Sequence, residues 1–289
     1  MSTSRPQELG TGVLRDVSRS FYLTLRWLPK KMRAATSVGY LLARASDTIA
    51  DCEGDRALRL ELLAAFPSQL EEVEQGFLRQ CADLAEAEGV KPGEAVLLRR
   101  LDEVFAWLRA LDEGEQRAIR QVIGTITSGQ RWDLTYFTGE GLVEVEEPEQ
   151  ARLYCYQVAG CVGEFWTEVG FLADPRFASR DGEEMKRLGR QYGEGLQLIN
   201  ILRDEQEDRQ RGRRYLPGQR KDWLAEAEEK MQSGLTYARA VRGWRARVAT
   251  VLPALIGRET LLLLNEREGP VKVNRTVVKK CLRRAMFFR

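Results

Sequence analysis

The stretch Thr36-Ser37-Val38-Gly39-Tyr40-Leu41-Leu42-Ala43-Arg44-Ala45-Ser46-Asp47-Thr48-Ile49-Ala50-Asp51 carries Arg44 and Asp47 as its only charges before the terminal aspartate. Leu41, Leu42, Ala45 and Ile49 recur at helical spacing, while Tyr40, Arg44, Asp47 and Asp51 follow one another at offsets of four, three and four. Residues four apart on a helix stand about 5–6 Å apart at Cβ, so the segment presents a double carboxylate on one face. A charged stripe is ordinarily a helix's solvated side. Here the apolar bed beneath it marks an internal helix with a polar edge, and buried carboxylates need a partner.

A second stretch repeats the pattern. In Leu196-Gln197-Leu198-Ile199-Asn200-Ile201-Leu202-Arg203-Asp204-Glu205-Gln206-Glu207-Asp208, the residues Gln197, Asn200, Asp204 and Asp208 recur at three, four and four beside Leu and Ile. The chain holds no histidine. Carboxylate and amide oxygens without imidazole or thiolate are hard ligands, suited to Mg²⁺ shared with substrate phosphates rather than to zinc. Two such faces opposed across a cavity fit a diphosphate held between metals, with Arg44, Arg203, Arg213 and Arg214 near them as fork-shaped donors to phosphate oxygens. Departure of that diphosphate leaves a carbocation that needs a dry apolar pocket, which is the chemistry of allylic diphosphates.

Composition narrows the alternatives. Apolar residues make up 43% of the 289, charged residues 30%, and the formal net charge is +2, an ordinary balance that does not point to nucleic acid. The five cysteines are odd in number and form no Cys-x-x-Cys pair, which argues against a disulfide framework or a zinc site and favours a reducing cytoplasm. Arg5, Arg15, Arg19 and Arg26 interrupt the first thirty residues, so no signal peptide is expected. No continuous run approaches the ~18–20 apolar residues of a membrane span. The stretch from Val277 to Arg289 is basic and amphipathic, a pattern that serves either a last helix packed on the core or a peripheral contact with an anionic membrane. Oligomeric state leaves no mark in the sequence.

Helical periodicity dominates the whole length. Punctuation by Gly and Pro places helices near 8–26, 30–51, 55–81, 92–110, 113–138, 148–172, 180–209, 220–232, 235–265 and 274–287, in one all-α domain over 1–289.

Four ordered motifs then resemble the squalene/phytoene synthase family. They are Ser18-Arg19-Ser20-Phe21, Tyr40 to Asp51, Tyr154-Cys155-Tyr156-Gln157-Val158-Ala159-Gly160-Cys161-Val162-Gly163, and Asn200 through Asp208 to Gly212-Arg213-Arg214-Tyr215-Leu216-Pro217. The resemblance implies an isoprenoid synthase helical bundle with a central cavity. It implies Mg²⁺ at Asp47, Asp51, Asn200, Asp204 and Asp208, and phosphate contacts from Ser18, Arg19, Ser20, Tyr40, Arg44, Gln197, Arg203 and Arg213. Arg44 and Arg203 would assist the departing diphosphate, Tyr154 or Tyr156 would serve as acid/base, and Val158, Ala159, Gly160, Val162 and Gly163 would line the pocket for the prenyl tails. All four motif aspartates are present, unlike in a helical scaffold that has shed its metal motifs.

The family condenses two prenyl diphosphates to a cyclopropyl diphosphate. Its members then either reduce the rearranged cation with NADPH to squalene or lose a proton to give dehydrosqualene or phytoene. Val271-Lys272-Val273-Asn274-Arg275 is similar to the segment that holds NADPH, implying cofactor contacts from Lys272, Arg275 and Asn200. Two positions depart from the reducing members: Gln157 stands where animal-type enzymes have tyrosine, and Asn274 where a basic residue is expected. Phe21, Tyr22, Phe137, Phe165 and Trp166 are candidates to face the cation, although at helical spacing such rings are more often core.

Overall fold

The computed structural model describes residues 8–18, 24–25, 27–139, 141–267 and 271–288. Helices account for about four fifths of them, so the all-α expectation holds, and the strands are two pairs of residues. The chain forms two compact units, Met1–Leu134 and Thr135–Arg289. The expected site residues Arg19 and Ser20, and the aromatics Phe21 and Tyr22, lie outside the described residues.

In the first unit a π-helical turn, Leu9–Val13, leads into α1 (Leu14–Ser18) and then α2 (Lys30–Asp51). Met32, Ala35, Val38, Leu41, Leu42, Ala45 and Ile49 give α2 its buried side. Its C-terminal carbonyls are satisfied from outside: Arg59 Nη1 donates to the oxygens of Ala50 and Cys52 at 2.9 and 2.8 Å, a cation placed where the helix dipole is negative. Against α2 pack α3 (Arg56–Gln69), α5 (Pro92–Arg99) and α6 (Leu101–Arg109), and the unit also holds α4 (Gln75–Asp83) and α7 (Glu113–Tyr136) through Leu134. Phe66, Phe77 and Phe105 form a ring cluster with centroids 5.6–6.4 Å apart.

Two expected helices are broken here. The span 55–81 parts into α3 and α4 because the Gln69 side-chain oxygen accepts the Glu74 N–H at 2.8 Å and so starts a new helix. The span 92–110 breaks at Arg100, whose backbone leaves helical geometry (φ −113°, ψ 22°) and whose guanidinium grips Glu103 through two bonds of 2.8 Å.

The second unit contains β1 (Val143–Glu144), α8 (Pro148–Cys155), a π-helical turn (Tyr156–Gly160), α9 (Cys161–Ala173), α10 (Gly182–Gln210), β2 (Arg213–Arg214), α11 (Arg220–Ala240), α12 (Trp244–Glu266) and α13 (Arg275–Met286). Backbones of α9 and α10 touch at Gly163 and Gly189, where a Cβ on Gly163 would stand 1.9 Å from the Gly189 oxygen. The break expected near Ser233-Gly234 falls instead at Val241 to Gly243. Gly234 stays helical because the Tyr192 ring occupies the space its side chain would need, 2.4 Å from the Cβ position.

By length and composition α12 is apolar enough to cross a membrane, although arginines interrupt its apolar run. More than half of its most apolar window is buried, and its Thr250 carbonyl accepts the Tyr192 hydroxyl at 2.8 Å, as in a core helix. All five cysteines are buried free thiols.

Candidate active site

The first acidic pair sits at the end of α2, with Asp47 half buried and Asp51 exposed. Its stripe is wired along the helix: Tyr40 donates to the Val17 carbonyl at 3.2 Å, Arg44 Nη2 donates to the Tyr40 hydroxyl at 3.4 Å, and Arg44 Nη1 stands 3.8 Å from Asp47 Oδ2. Ser18 is buried and its hydroxyl donates to the Leu14 carbonyl.

The nearest partner of Asp47 is one the motifs do not contain. Gln130 on α7 donates its amide to Asp47 Oδ1 at 2.6 Å, and its own side-chain oxygen is buried with no hydrogen-bond partner. The sequence does hold a signal for it. Ile119, Ile123, Ile126, Gln130 and Asp133 fall at offsets of four, three, four and three, so two polar residues end an otherwise apolar buried stripe, and both are buried.

The Asp47 side chain keeps 41% of its surface open. Withdrawal from bulk water nevertheless raises its carboxyl to about 6; Arg44 and the Gln130 amide pull it down, and Asp51 pushes it up again. The protein atoms packed around the carboxylate outweigh its open edge. Burial alone would lower Arg44, but Asp47 and Tyr40 more than offset it and hold the guanidinium more firmly protonated.

The second pair lies on α10, in the other unit. Arg203 grips Asp204 in a fork, Nε to Oδ1 at 2.7 Å and Nη2 to Oδ2 at 2.5 Å, which together with Asp208 raises the guanidinium's affinity for its proton against burial. Asn200 is exposed and donates to Gln197 Oε1 at 3.5 Å. The helix ends at Gln210, and beyond the capping Arg211 the chain turns at Gly212, whose φ of 78° suits a residue without a side chain, into Arg213-Arg214. β2 is held parallel to β1 by Val143 N–H to the Gly212 oxygen at 2.8 Å and Val145 N–H to the Arg214 oxygen at 2.9 Å. A cavity of about 320 Å³ opens there, bounded by Leu202, Asp208, Arg209, Arg213, Tyr215 and Arg220.

The two candidate tyrosines occupy different settings. Tyr154 stacks on Tyr215 (5.1 Å, 16°), Tyr215 meets Phe137 edge-on at 4.8 Å, and Arg213 lies 5.8 Å over Phe137 while donating to the Tyr215 hydroxyl at 3.3 Å. Tyr156 belongs to a charge network instead. Its hydroxyl donates to Glu164 at 3.2 Å, Arg190 covers its ring at 4.2 Å, and burial and Glu164 raise its pKa above the ordinary value. Arg190 and Lys230 then bracket the buried Glu194 at 2.9 and 2.6 Å.

Val158 and Ala159 are half buried on the π-helical turn, Gly160 is buried and Val162 is exposed. Phe165 is core, and Trp166 donates to Thr250 at 3.1 Å. Lys272 and Arg275 are exposed; Asn274 caps α13 by accepting the Val277 N–H at 2.9 Å, which accounts for an amide where a basic residue is expected.

Among the described residues no three acids or cysteines converge into a protein-only metal cage. Each helix instead offers a pair of carboxylates. That donor set, with the unpartnered Gln130 oxygen beside Asp47, fits a hard cation that takes its other ligands from phosphate and water.

The family model described as Squalene/phytoene synthase matches residues 14–223. Squalene synthase of Cyberlindnera jadinii is 29% identical over 210 residues, covering 71% of this chain and 44% of that protein. The 4,4'-diapophytoene synthase of Staphylococcus haemolyticus is 28% identical over 203 residues (70% and 59%), and phytoene synthase of Thermus thermophilus 30% over 205 (71% and 57%). The chain thus spans about half the length of these curated relatives. The solved complex of TcSQS with E5700 superposes with a TM-score of 0.79 at 21% identity, covering 98% of this chain and 86% of that one, a likeness of fold.

Proposed function

This chain belongs to the squalene/phytoene synthase family, and from that membership we propose that it joins two prenyl diphosphates head to head, using Mg²⁺ held by Asp47 and Asp51 on one helix and by Asn200, Asp204 and Asp208 on the other. The observation that carries the reading is the state of Asp47: burial, with Asp51 one turn on, raises its carboxyl to about 6, and the Arg44 guanidinium stays 3.8 Å away. Bound Mg²⁺ would neutralise diphosphate charge and so stabilise the leaving group.

The residues of the chain itself do the rest. Arg44, Arg203 and Arg213 orient diphosphate oxygens and stabilise the charge that grows on them as the allylic C–O bond breaks. For Arg203 this means exchanging the Asp204 fork for a phosphate. Tyr154, in the aromatic cluster beside Arg213, is better placed than Tyr156 to meet the reacting allylic end, because the Tyr156 hydroxyl is engaged by Glu164. The half-buried Val158 and Ala159 leave room for a prenyl tail along the helix.

For the product, the finer proposal is squalene, formed through presqualene diphosphate from two farnesyl diphosphates. NADPH would supply the closing hydride, with its phosphates on Lys272 and Arg275 and a further contact from Asn200; the exposed position of both cations supports this. Dehydrosqualene or phytoene, formed by proton loss, is the second reading, favoured by Gln157 in place of tyrosine. One experiment separates them: protein, Mg²⁺ and farnesyl or geranylgeranyl diphosphate, with and without NADPH, and mass spectrometry of the hydrocarbon. Squalene formed only with NADPH supports the first reading; dehydrosqualene or a C40 product in the presence of NADPH rejects it.

A further inference from the structure

Val158, Val162 and Trp166 follow one another at offsets of four and four from the π-helical turn into α9, and none of them is fully buried. On α10 Tyr192, Leu196 and Asn200 keep the same spacing, and the next step is Asp204. A prenyl tail lying beside Val158 with its diphosphate at Asp204 has to end somewhere along this pair of helices.

Both stripes meet at one threonine. Thr250 of α12 is buried; its hydroxyl accepts the Trp166 indole N–H at 3.1 Å and donates to the Ala246 carbonyl at 2.8 Å, while its own carbonyl accepts the Tyr192 hydroxyl at 2.8 Å. The indole, the phenol and the hydroxyl each spend their hydrogen on a partner, so the three side chains are held in one arrangement. Between this cluster and the acidic residues α12 stays against α10, where a Cβ on Gly257 would stand 3.5 Å from Leu196 Cδ2. Trp166 therefore reaches from α9 to α12 as a bar fixed at both ends, with part of its surface open.

The bar stands at a defined depth. Tyr192 precedes Asp204 by twelve residues of unbroken helix, about 18 Å at the rise of an α-helix. An extended farnesyl chain covers that depth, and a geranylgeranyl chain, one isoprene unit longer, overruns it. We propose that Trp166, braced by Thr250 and Tyr192, is the floor against which the prenyl tail stops, and that it selects farnesyl over geranylgeranyl diphosphate. The inference rests on the proposed head-to-head condensation and adds the length of its substrate. It sets Trp166 at the far end of the tail from the carbocation, as a steric stop.

The test measures kcat/KM of the full chain with Mg²⁺ on geranyl, farnesyl and geranylgeranyl diphosphate, with mass spectrometry of each product. The parent should favour farnesyl over geranylgeranyl diphosphate by about tenfold or more. Trp166→Ala should raise the geranylgeranyl-to-farnesyl ratio by about tenfold or more and yield a C40 product, and Thr250→Val, which removes the brace, should move the ratio the same way by less. Val162 is 38% exposed, so a ring is tolerated there without disturbing the core. Val162→Phe, one turn nearer the acidic residues, should lower farnesyl turnover about tenfold and spare geranyl diphosphate. Circular dichroism melts report any loss of fold, and if Trp166→Ala melts below the assay temperature, Val162→Phe decides. A merely structural tryptophan would lower kcat/KM for all three substrates alike. A parent that condenses farnesyl and geranylgeranyl diphosphate equally well, an unmoved ratio in folded Trp166→Ala, or a Val162→Phe variant with the parent's preference overturns the floor alone. A parent that condenses none of the three overturns the functional reading and the floor with it.

Discussion

The two acidic helices share one spacing and differ in how their charge is balanced. On α2 the carboxylate of Asp47 leans on a neutral amide, Gln130, and on an arginine 3.8 Å away, and its proton affinity is raised. On α10 the carboxylate of Asp204 is clamped by both arms of Arg203. Asp47 has no close guanidinium fork; Asp204 holds its own counterion and must exchange it. Identical i, i+4 geometry therefore describes two different electrostatic starting points, and a cation gains more at the first.

The largest expected effect tests both helices together. Asp47→Asn and Asp204→Asn should each lower turnover of farnesyl diphosphate by about 10²–10³-fold. Activity within tenfold of the parent in either variant would remove the metal assignment for that helix.

Next comes the partner that separates the two. Gln130→Leu should weaken Mg²⁺ binding in the presence of diphosphate by about tenfold, as loss of a residue that orients a ligand commonly does, whereas Gln197→Leu should change it less. Calorimetric titration measures both, and equal losses would erase the distinction between the helices. In an Asp204→Asn background, where the first pair acts alone, Mg²⁺ affinity should fall as the pH drops through about 6, because Asp47 must lose its proton to become a ligand.

The smallest effect is on stability without metal. The folded carboxyl of Asp47 sits at about 6 against an ordinary value of 3.8, so the folded state holds the proton more tightly than the unfolded chain. Stability from this group is fully present below the ordinary value and lost as the pH rises through about 6. Asp47→Asn escapes that loss. In EDTA it should melt at or up to about 3 °C above the parent at pH 7, the gain being limited by the open edge of the side chain, and the gap should close below about pH 4. Asp204→Asn, which strips Arg203 of its partner, should not melt above the parent. Asp47→Asn melting below the parent at pH 7 would contradict the raised proton affinity of Asp47.

Much of this was legible in the sequence, because spacing on a helix fixes which side chains share a face. The acidic stripes, the helical class and the family follow from Tyr40 to Asp51 and Gln197 to Asp208 read as surfaces. Contacts between helices were not legible in that way. Gln130 is 83 residues from Asp47 and joins it only through the packing of α7 on α2. Helix ends were misplaced where a side chain overrode propensity: Gln69 restarted a helix, and Gly234 stayed inside one because a tyrosine ring filled its missing side chain. The apolar character of α12 was hidden by the arginines that interrupt it. The split roles of Tyr154 and Tyr156 also needed the structure, since two residues apart on a helix place one ring against Tyr215 and the other against Arg190.

The central claim is that paired carboxylates on two helices use Mg²⁺ to drive a head-to-head condensation. Its most direct test is the mass spectrum of products from farnesyl diphosphate with Mg²⁺, and again after EDTA. The account predicts a C30 cyclopropyl diphosphate or the hydrocarbon derived from it, absent after chelation and restored by added Mg²⁺. A C30 product that persists in EDTA, or none under any metal condition, would contradict it.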